Sequence, residues 1–506
     1  MNIFKAEKFD YKVLRKQRGS GVLMHITSLP NNYGVGSMGL EAREFANFLK
    51  AAGQKYWQLL PVGPTGYGDS PYQSLSSYAG NPYLIDLEDL IERGLIFEGE
   101  LDKYKEDENL SKVNYEKLHH QRREIFKLAF SRFDVEDLDF QGFVTKNNFW
   151  LKDYALFMAI KDHQNGFSWL EWEDKFKLRD ELALKEFEEK YRDEVSYYIF
   201  VQYIFFEQWD KLKDYLHKNG IQTIGDLPIY VAEDSADVWA NPELFKLDEN
   251  LIPFVVGGVP PDAFTDDGQL WGNPIYDWKV HEYTNFTWWI DRIKWNFSIF
   301  DLVRIDHFRG FESYWEVPKG DKTAKNGKWA EGPGIKLFDK IKSELGDVPI
   351  IAEDLGVITS AVRKLLEDTG FPGMKVLQFA FNPSGNSEHI PHNAVENSIM
   401  YTGTHDNDTI LGWIDEFDSK DIEFAKKYLN LTKEEGYTWG MIRGAFTSIS
   451  RIAIIQMQDL LFLDNSARMN IPGTLGDNWT WRMKKGELEE EVILKLKDMT
   501  EMSGRL

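Results

Sequence analysis

The feature that most constrains this chain is an apolar run that stops abruptly at a charged cluster, and it recurs. Phe297-Ser298-Ile299-Phe300-Asp301-Leu302-Val303 leads into Arg304-Ile305-Asp306-His307-Phe308-Arg309-Gly310. Val348-Pro349-Ile350-Ile351-Ala352 leads into Glu353-Asp354, and Ser398-Ile399-Met400-Tyr401 leads into a polar stretch holding His405, Asp406, Asn407 and Asp408. Short β-branched runs bounded in this way read as buried strands that deliver their last residues to a cleft.

Helical patterns lie between such runs. Residues 41–52 place Ala42, Phe45, Ala46, Phe48 and Leu49 at helical spacing and end at Gly53, a C-cap residue. The run at 56–61 follows at once. Strand, helix and strand at this spacing form a βαβ unit, and therefore a parallel sheet. About eight alternations fit along the chain, and no nucleotide-binding glycine fingerprint accompanies them. The predicted fold is an α/β (β/α)8 TIM barrel with helical and loop insertions and no separate C-terminal β-domain. A doubly wound sheet would leave similar crossovers. The expected organisation is one catalytic barrel over residues 1–506. Its insertions would be a helical subdomain near 88–195, an active-site lid region near 232–280 and a helical segment near 410–445. Residues 232–272 read as loop, with Gly257-Gly258 and Pro260-Pro261 bracketing a lid.

Composition narrows the partners. Of 506 residues, 59 are Lys or Arg and 82 are Asp or Glu, a net charge of -23. Neither nucleic acid nor an anionic membrane attracts such a surface. There is no cysteine, so no disulfide and no thiolate metal site. Residues 1–21 are charged throughout, and no apolar run reaches the length of a membrane span. A cytoplasmic protein is expected. Tryptophans beside carboxylates and amides, as in Asp237-Val238-Trp239 and Gln269-Leu270-Trp271-Gly272-Asn273, suit sugars, whose apolar faces stack on rings and whose hydroxyls need fixed polar partners. The loop Gly66-Tyr67-Gly68-Asp69-Ser70-Pro71-Tyr72-Gln73 adds stacking faces with hydroxyl handles, and lacks the Gly-Lys-Ser/Thr ending of a phosphate loop.

The strand ends carry the chemistry. A barrel brings all its strand C-termini to one face, so Asp306, Glu353 and Asp406, spaced by 47 and 53 residues, would meet there. Arg304 lies two positions before Asp306, on the same side of a strand, and should keep it ionised. Glu353 follows an apolar approach that should raise its pKa and keep it protonated. A nucleophile and a proton donor roughly 5–5.5 Å apart is what retaining glycoside chemistry needs. Asp406, with His405 before it, could grip sugar hydroxyls. Clustered carboxylates also bind metals, but neither zinc-type histidine spacing nor a calcium loop is present.

Taken together, these motifs resemble the 4-α-glucanotransferases, or amylomaltases, of glycoside hydrolase family 77. The likeness runs from His25-Ile26-Thr27-Ser28-Leu29-Pro30 to Asn478-Trp479-Thr480-Trp481-Arg482. It includes Gly225-Asp226-Leu227-Pro228, Pro260-Pro261-Asp262 and Gly403-Thr404-His405-Asp406-Asn407-Asp408-Thr409. The resemblance implies Asp306 as nucleophile, Glu353 as acid/base and Asp406 as transition-state stabiliser. It implies Arg304 and His405 at the first sugar subsite, and Ser70, Tyr72, Asp226, Asp262, Gln269, Trp271 and Asn478 as glucan contacts. It implies α-1,4-glucans and maltooligosaccharides as substrates, glucose as an acceptor, and no metal or organic cofactor. Several members of the family place an aromatic residue after Pro-Pro-Asp; here Ala263 stands there, with Phe264 next, so a smaller stacking surface on the lid is expected. A hydrolase using water as acceptor would carry the same acids. A glucan-binding scaffold would have no need of a paired acid and nucleophile.

Overall fold

The apolar runs end in strands, though Phe297–Ile299 of the first run close a helix and its strand begins only at Leu302. In the computed structural model, which describes residues 17–506 apart from 67, 262–264, 417 and 418, eight runs pair into one parallel sheet. They are β1 (Gly19–Leu23), β2 (Tyr56–Gln58), β3 (Gln222–Leu227), β4 (Leu302–Ile305), β5 (Ile350–Ala352), β6 (Gly373–Val376), β7 (Ser398–Tyr401) and β8 (Ile452–Gln456). The ladder runs β6-β7-β8-β1-β2-β3-β4-β5. β8 lies beside β1, from Gly19 opposite Ile452 to Leu23 opposite Gln456, so the sheet curls round on itself. Its seam falls between β5 and β6, where the Ala352 N–H donates to the Pro372 carbonyl at 2.9 Å. This is the expected barrel. Every residue of β4 is buried, as a parallel strand covered on both faces requires.

Helices wrap the outside: Leu40–Ala51, Arg192–Lys218, Thr287–Ile299, Ile335–Leu345, Ser360–Thr369, Tyr437–Thr447 and Glu490–Met502. Ser360–Thr369 shows how the sequence sets one. The Thr359 side chain accepts from the Val362 N–H, Val362 and Leu365 form the buried face, and Gly370 stops the helix at φ 68°. One alternation fails. Between β6 and β7 the connection is made by the short 3₁₀ turns Leu377–Phe379 and Pro391–Asn393 instead of a helix. Pro383, Gly385 and Pro391 punctuate that stretch too densely for a helix. The long connection from β2 to β3 carries the helices Tyr115–Phe130, Leu138–His163 and Glu181–Lys190.

The stretch 232–272 is not the loop its glycines suggested. Strands Val255–Val259 and Gln269–Pro274 join Ser313–Pro318 and Lys328–Glu331 in a four-stranded antiparallel sheet. The glycine pair belongs to a strand because the backbone is crowded there: a Cβ on Gly258 would lie 2.5 Å from the Gln269 carbonyl oxygen. At the floor of the barrel the buried Arg505 donates to the carbonyls of Gly19, Phe446, Ser448, Ser450 and Arg451, bracing the β8–β1 joint.

Candidate active site

Arg304 on β4 is the hub. Its Nη1 donates to both oxygens of Asp226, on the neighbouring β3, at 2.7 Å. Its Nη2 lies 3.0 Å from Asp306 Oδ1, just past the end of β4. The guanidinium is thus a fork held by two carboxylates, and Tyr72 donates its hydroxyl to Asp226 Oδ2 at 2.8 Å. On the opposite face of β3, Gly225 makes room for the Phe300 ring, with which a Cβ would collide. Asp306 itself is 28% exposed, so its carboxylate opens to the cleft. Burial pushes Asp306 above its ordinary value, and Arg304 only partly offsets this, because the same guanidinium also serves Asp226, whose charge opposes that of Asp306.

Glu353 follows β5 directly and is buried. Its Oε2 accepts from the His307 N–H and its Oε1 from the Leu355 N–H, both at 2.7 Å. Burial raises its pKa strongly and the charge of Asp306 adds to the rise, while Arg304 and the two N–H groups hold it back. Glu353 is the more deeply buried of the two acids, and burial is the first cause of its raised pKa. His307 achieves its position in the left-handed region, at φ 52°.

Asp406 reaches the cleft from a loop rather than from a strand end, since β7 stops at Tyr401. Asp459 pins that loop at both ends, accepting from Thr402 Oγ1 at 2.9 Å and from the Ile410 N–H at 2.7 Å. Asn470 donates to Asp406 Oδ1 at 2.6 Å, and Arg468 donates to the Asp406 carbonyl at 2.5 Å. His405 Nε2 sits 3.3 Å from the same carboxylate. Burial alone would raise Asp406, but His405 and Asn470 bring it down to about 2. In return Asp406 outweighs the burial of His405 and raises it. The His405 ring stacks on Tyr72, with centroids 5.1 Å apart, and Trp479 packs against both rings.

The structure thus gathers Arg304, Asp306, Glu353, His405, Asp406, Tyr72 and Asp226 into one network. Trp271 joins from the small sheet, edge-on to His307 at 4.8 Å, and Gln269 accepts from its indole N–H at 3.2 Å. Ser70 shapes the turn that presents Tyr72, accepting from the Tyr72 N–H at 3.3 Å. Asn478 is spent elsewhere: its amide ties Ile471 and Thr474 within an exposed loop, and it is the neighbouring Trp479 that packs on Tyr72 and His405. Asp262, Ala263, Phe264 and Tyr67 lie outside the described residues. Sequence reasoning missed Trp479, Asn470, Arg468 and the His307 and Leu355 amides. Only Trp479, itself within the quoted stretch Asn478–Arg482, carried a usable signal. Among the described residues no group of three or more His, Cys, Asp or Glu is arranged to hold a metal ion.

Residues 24–488 match the family model for 4-alpha-glucanotransferase, glycoside hydrolase family 77. The chain belongs to that family. A 4-alpha-glucanotransferase of Streptococcus pneumoniae is 50% identical over 97% of this chain and 98% of its own length. One from Clostridium butyricum is 49% identical over 95% of this chain and all of its own. The amylomaltase of Streptococcus agalactiae, solved in complex with acarbose, superposes with a TM-score of 0.93 at 44% identity, covering 97% of this chain and 100% of that one. The amylomaltase of Corynebacterium glutamicum shares the fold at a TM-score of 0.80 with 17% identity, over 97% of this chain and 76% of that one.

Proposed function

We propose that this 4-α-glucanotransferase works by a two-step retaining transfer on Asp306 and Glu353. Glu353, protonated, gives its proton to the glycosidic oxygen while an Asp306 oxygen attacks the anomeric carbon. The bond to the leaving glucan breaks, and a covalent glucosyl-enzyme forms. The 4-hydroxyl of a second glucan, or of glucose, then gives its proton to the Glu353 carboxylate and attacks the same carbon, and Asp306 leaves. Arg304 steadies the Asp306 carboxylate. Asp406, ionised and held by Asn470 and His405, binds sugar hydroxyls and stabilises the positive charge that develops on the ring. Tyr72 and Trp479 offer stacking faces beside it.

The observation that carries this reading is the unequal treatment of two neighbouring acids. Asp306 shares a guanidinium, whereas Glu353 sits deeper, against backbone amides, with the higher pKa. The acarbose bound by the Streptococcus agalactiae amylomaltase is the kind of ligand a maltooligosaccharide cleft takes. We read the chain as one catalytic barrel bearing the insertions at 88–195, 232–280 and 410–445, with the four-stranded sheet as the part that holds water off. A cytoplasmic location is a proposal on composition; among the described residues no helix is long and apolar enough to cross a membrane.

Incubation with maltotriose alone tests the reading. Glucose plus a ladder of longer maltooligosaccharides, with total reducing ends constant, is expected. Rising reducing ends with only shorter products would replace it with hydrolysis.

A further inference from the structure

We infer that Arg309 is a positioning residue for Glu353: it fixes the distance between the two turns whose amides grip that carboxyl. The inference rests on Glu353 being the acid/base. The amides belong to His307 and Leu355, and neither lies in a regular element that would set its position. His307 starts a turn that continues as the 3₁₀ segment Phe308–Phe311. Leu355 lies in the irregular stretch between β5 and the helix Ser360–Thr369. At their near end the turns are joined by backbone: the Glu353 N–H donates to the Ile305 carbonyl at 3.0 Å, and the Phe308 N–H to the Glu353 carbonyl at 3.1 Å.

At the far end the tie is Arg309. Its Nη1 donates to the Val357 carbonyl at 2.5 Å. Its Nη2 donates to Ser313 Oγ at 3.1 Å, where the small sheet begins. The face of its guanidinium lies 3.9 Å from the centroid of Trp329, on another strand of that sheet. Arg309 is buried, 4% exposed, while Val357 is 55% exposed, so without the arginine the far side of the Leu355 turn faces water. A planar fork with a stacking face can make these three contacts at once; a lysine cannot.

Loss of the tie lets the two amides drift from the carboxylate. Amide donors favour the charged form of Glu353, so their weakening moves its titration upward. The other charged groups that act on Glu353 are Arg304 and Asp306, from β4 and its turn; Asp226 on β3 lies beyond Arg304, and His405 and Asp406, from the loop after β7, bear on Asp306. Asp354 beside Glu353 is turned away, accepting from the Met374 N–H at 2.6 Å. Arg309 holds none of these.

The test is the pH profile of glucose release from maltotriose for Arg309→Met, Arg309→Lys, Trp329→Ala and Glu353→Gln. Arg309→Met should move the alkaline limb up by about one pH unit. It should also lower kcat by about 10- to 100-fold with KM changed less than about threefold. Arg309→Lys keeps the charge but not the fork and should shift less, in the same direction. Trp329→Ala leaves Arg309 in place and should give a smaller shift of the same sign. It decides the matter if Arg309→Met fails to fold. Alkaline limbs unmoved in Trp329→Ala and in every Arg309 variant that folds, with rate or stability lost, would make Arg309 a packing residue and overturn the inference. A shift in Arg309→Met alone would reduce the effect to charge and overturn it too. Glu353→Gln with full activity and an intact alkaline limb would instead remove the acid/base assignment beneath it.

Discussion

Asp226→Asn keeps the shape of the side chain and removes one negative charge from a guanidinium that two carboxylates share. Asp226 meets Arg304 Nη1 at 2.7 Å and Asp306 meets Nη2 at 3.0 Å. Carboxylates at the two ends of one guanidinium stand about 6 Å apart, which at an effective dielectric of about 20 is ~3 kcal/mol of repulsion, or about two pH units. Because Asp306 is 28% exposed, solvent screens part of this, and about one unit remains. The variant should therefore ionise Asp306 more readily, and the acid limb of kcat/KM should move down by about one unit. The maximum rate should fall about tenfold, since Arg304 then bears wholly on the Asp306 carboxylate and Tyr72 loses a charged acceptor. Initial rates of glucose release from maltotriose, followed down the acid limb for both proteins, measure the shift. An acid limb that stays put or moves up would refute the idea that the charge of Asp226, by sharing Arg304, adds to the rise that burial gives Asp306.

The acid role of Glu353 predicts a leaving-group effect. Glu353→Gln should lower turnover of maltotriose by about 10³-fold, yet leave the rate of the first-turnover burst of fluoride from α-maltosyl fluoride within about tenfold of the parent, because fluoride departs without a proton, whereas later turnovers still need the base and stall. At the floor, Arg505→Met removes a donor from the carbonyls of Gly19, Phe446, Ser448, Ser450 and Arg451, of which Phe446 and Ser448 keep Arg18 and Arg451 keeps the Gly19 N–H. A cost of about 4 kcal/mol is expected, which for a chain of this size lowers the thermal midpoint by about 4 °C in a calorimetric scan at fixed rate.

What could be read from the residues alone followed their physics. Period-two alternation put Arg304 and Asp306 on one side of a strand, and they do touch. The apolar approach to Glu353 announced a raised pKa. Asp226, however, reaches Arg304 across 78 residues, and no local pattern warns that Arg304 is already shared. Hence the hold of Arg304 on Asp306 is weaker than their closeness alone suggests. Gly257-Gly258 looked like a chain breaker because glycine serves turns and crowded strands alike, and only the Gln269 carbonyl beside Gly258 tells which. The donors on Glu353 are backbone amides, which every residue but proline has, so His307 and Leu355 carried no chemical signature.

The joint between β8 and β1 bears on how this protein is made. A ribosome releases β1 among the first residues, but its partner on one side is β8, about 430 residues later. At about 5–20 residues per second, that edge waits between roughly 20 and 90 seconds. Throughout that interval the growing chain offers an unpaired strand edge to any neighbour. Chaperone demand during synthesis should therefore track translation speed, and rare codons ahead of Ile452 should cost more yield than the same codons after it.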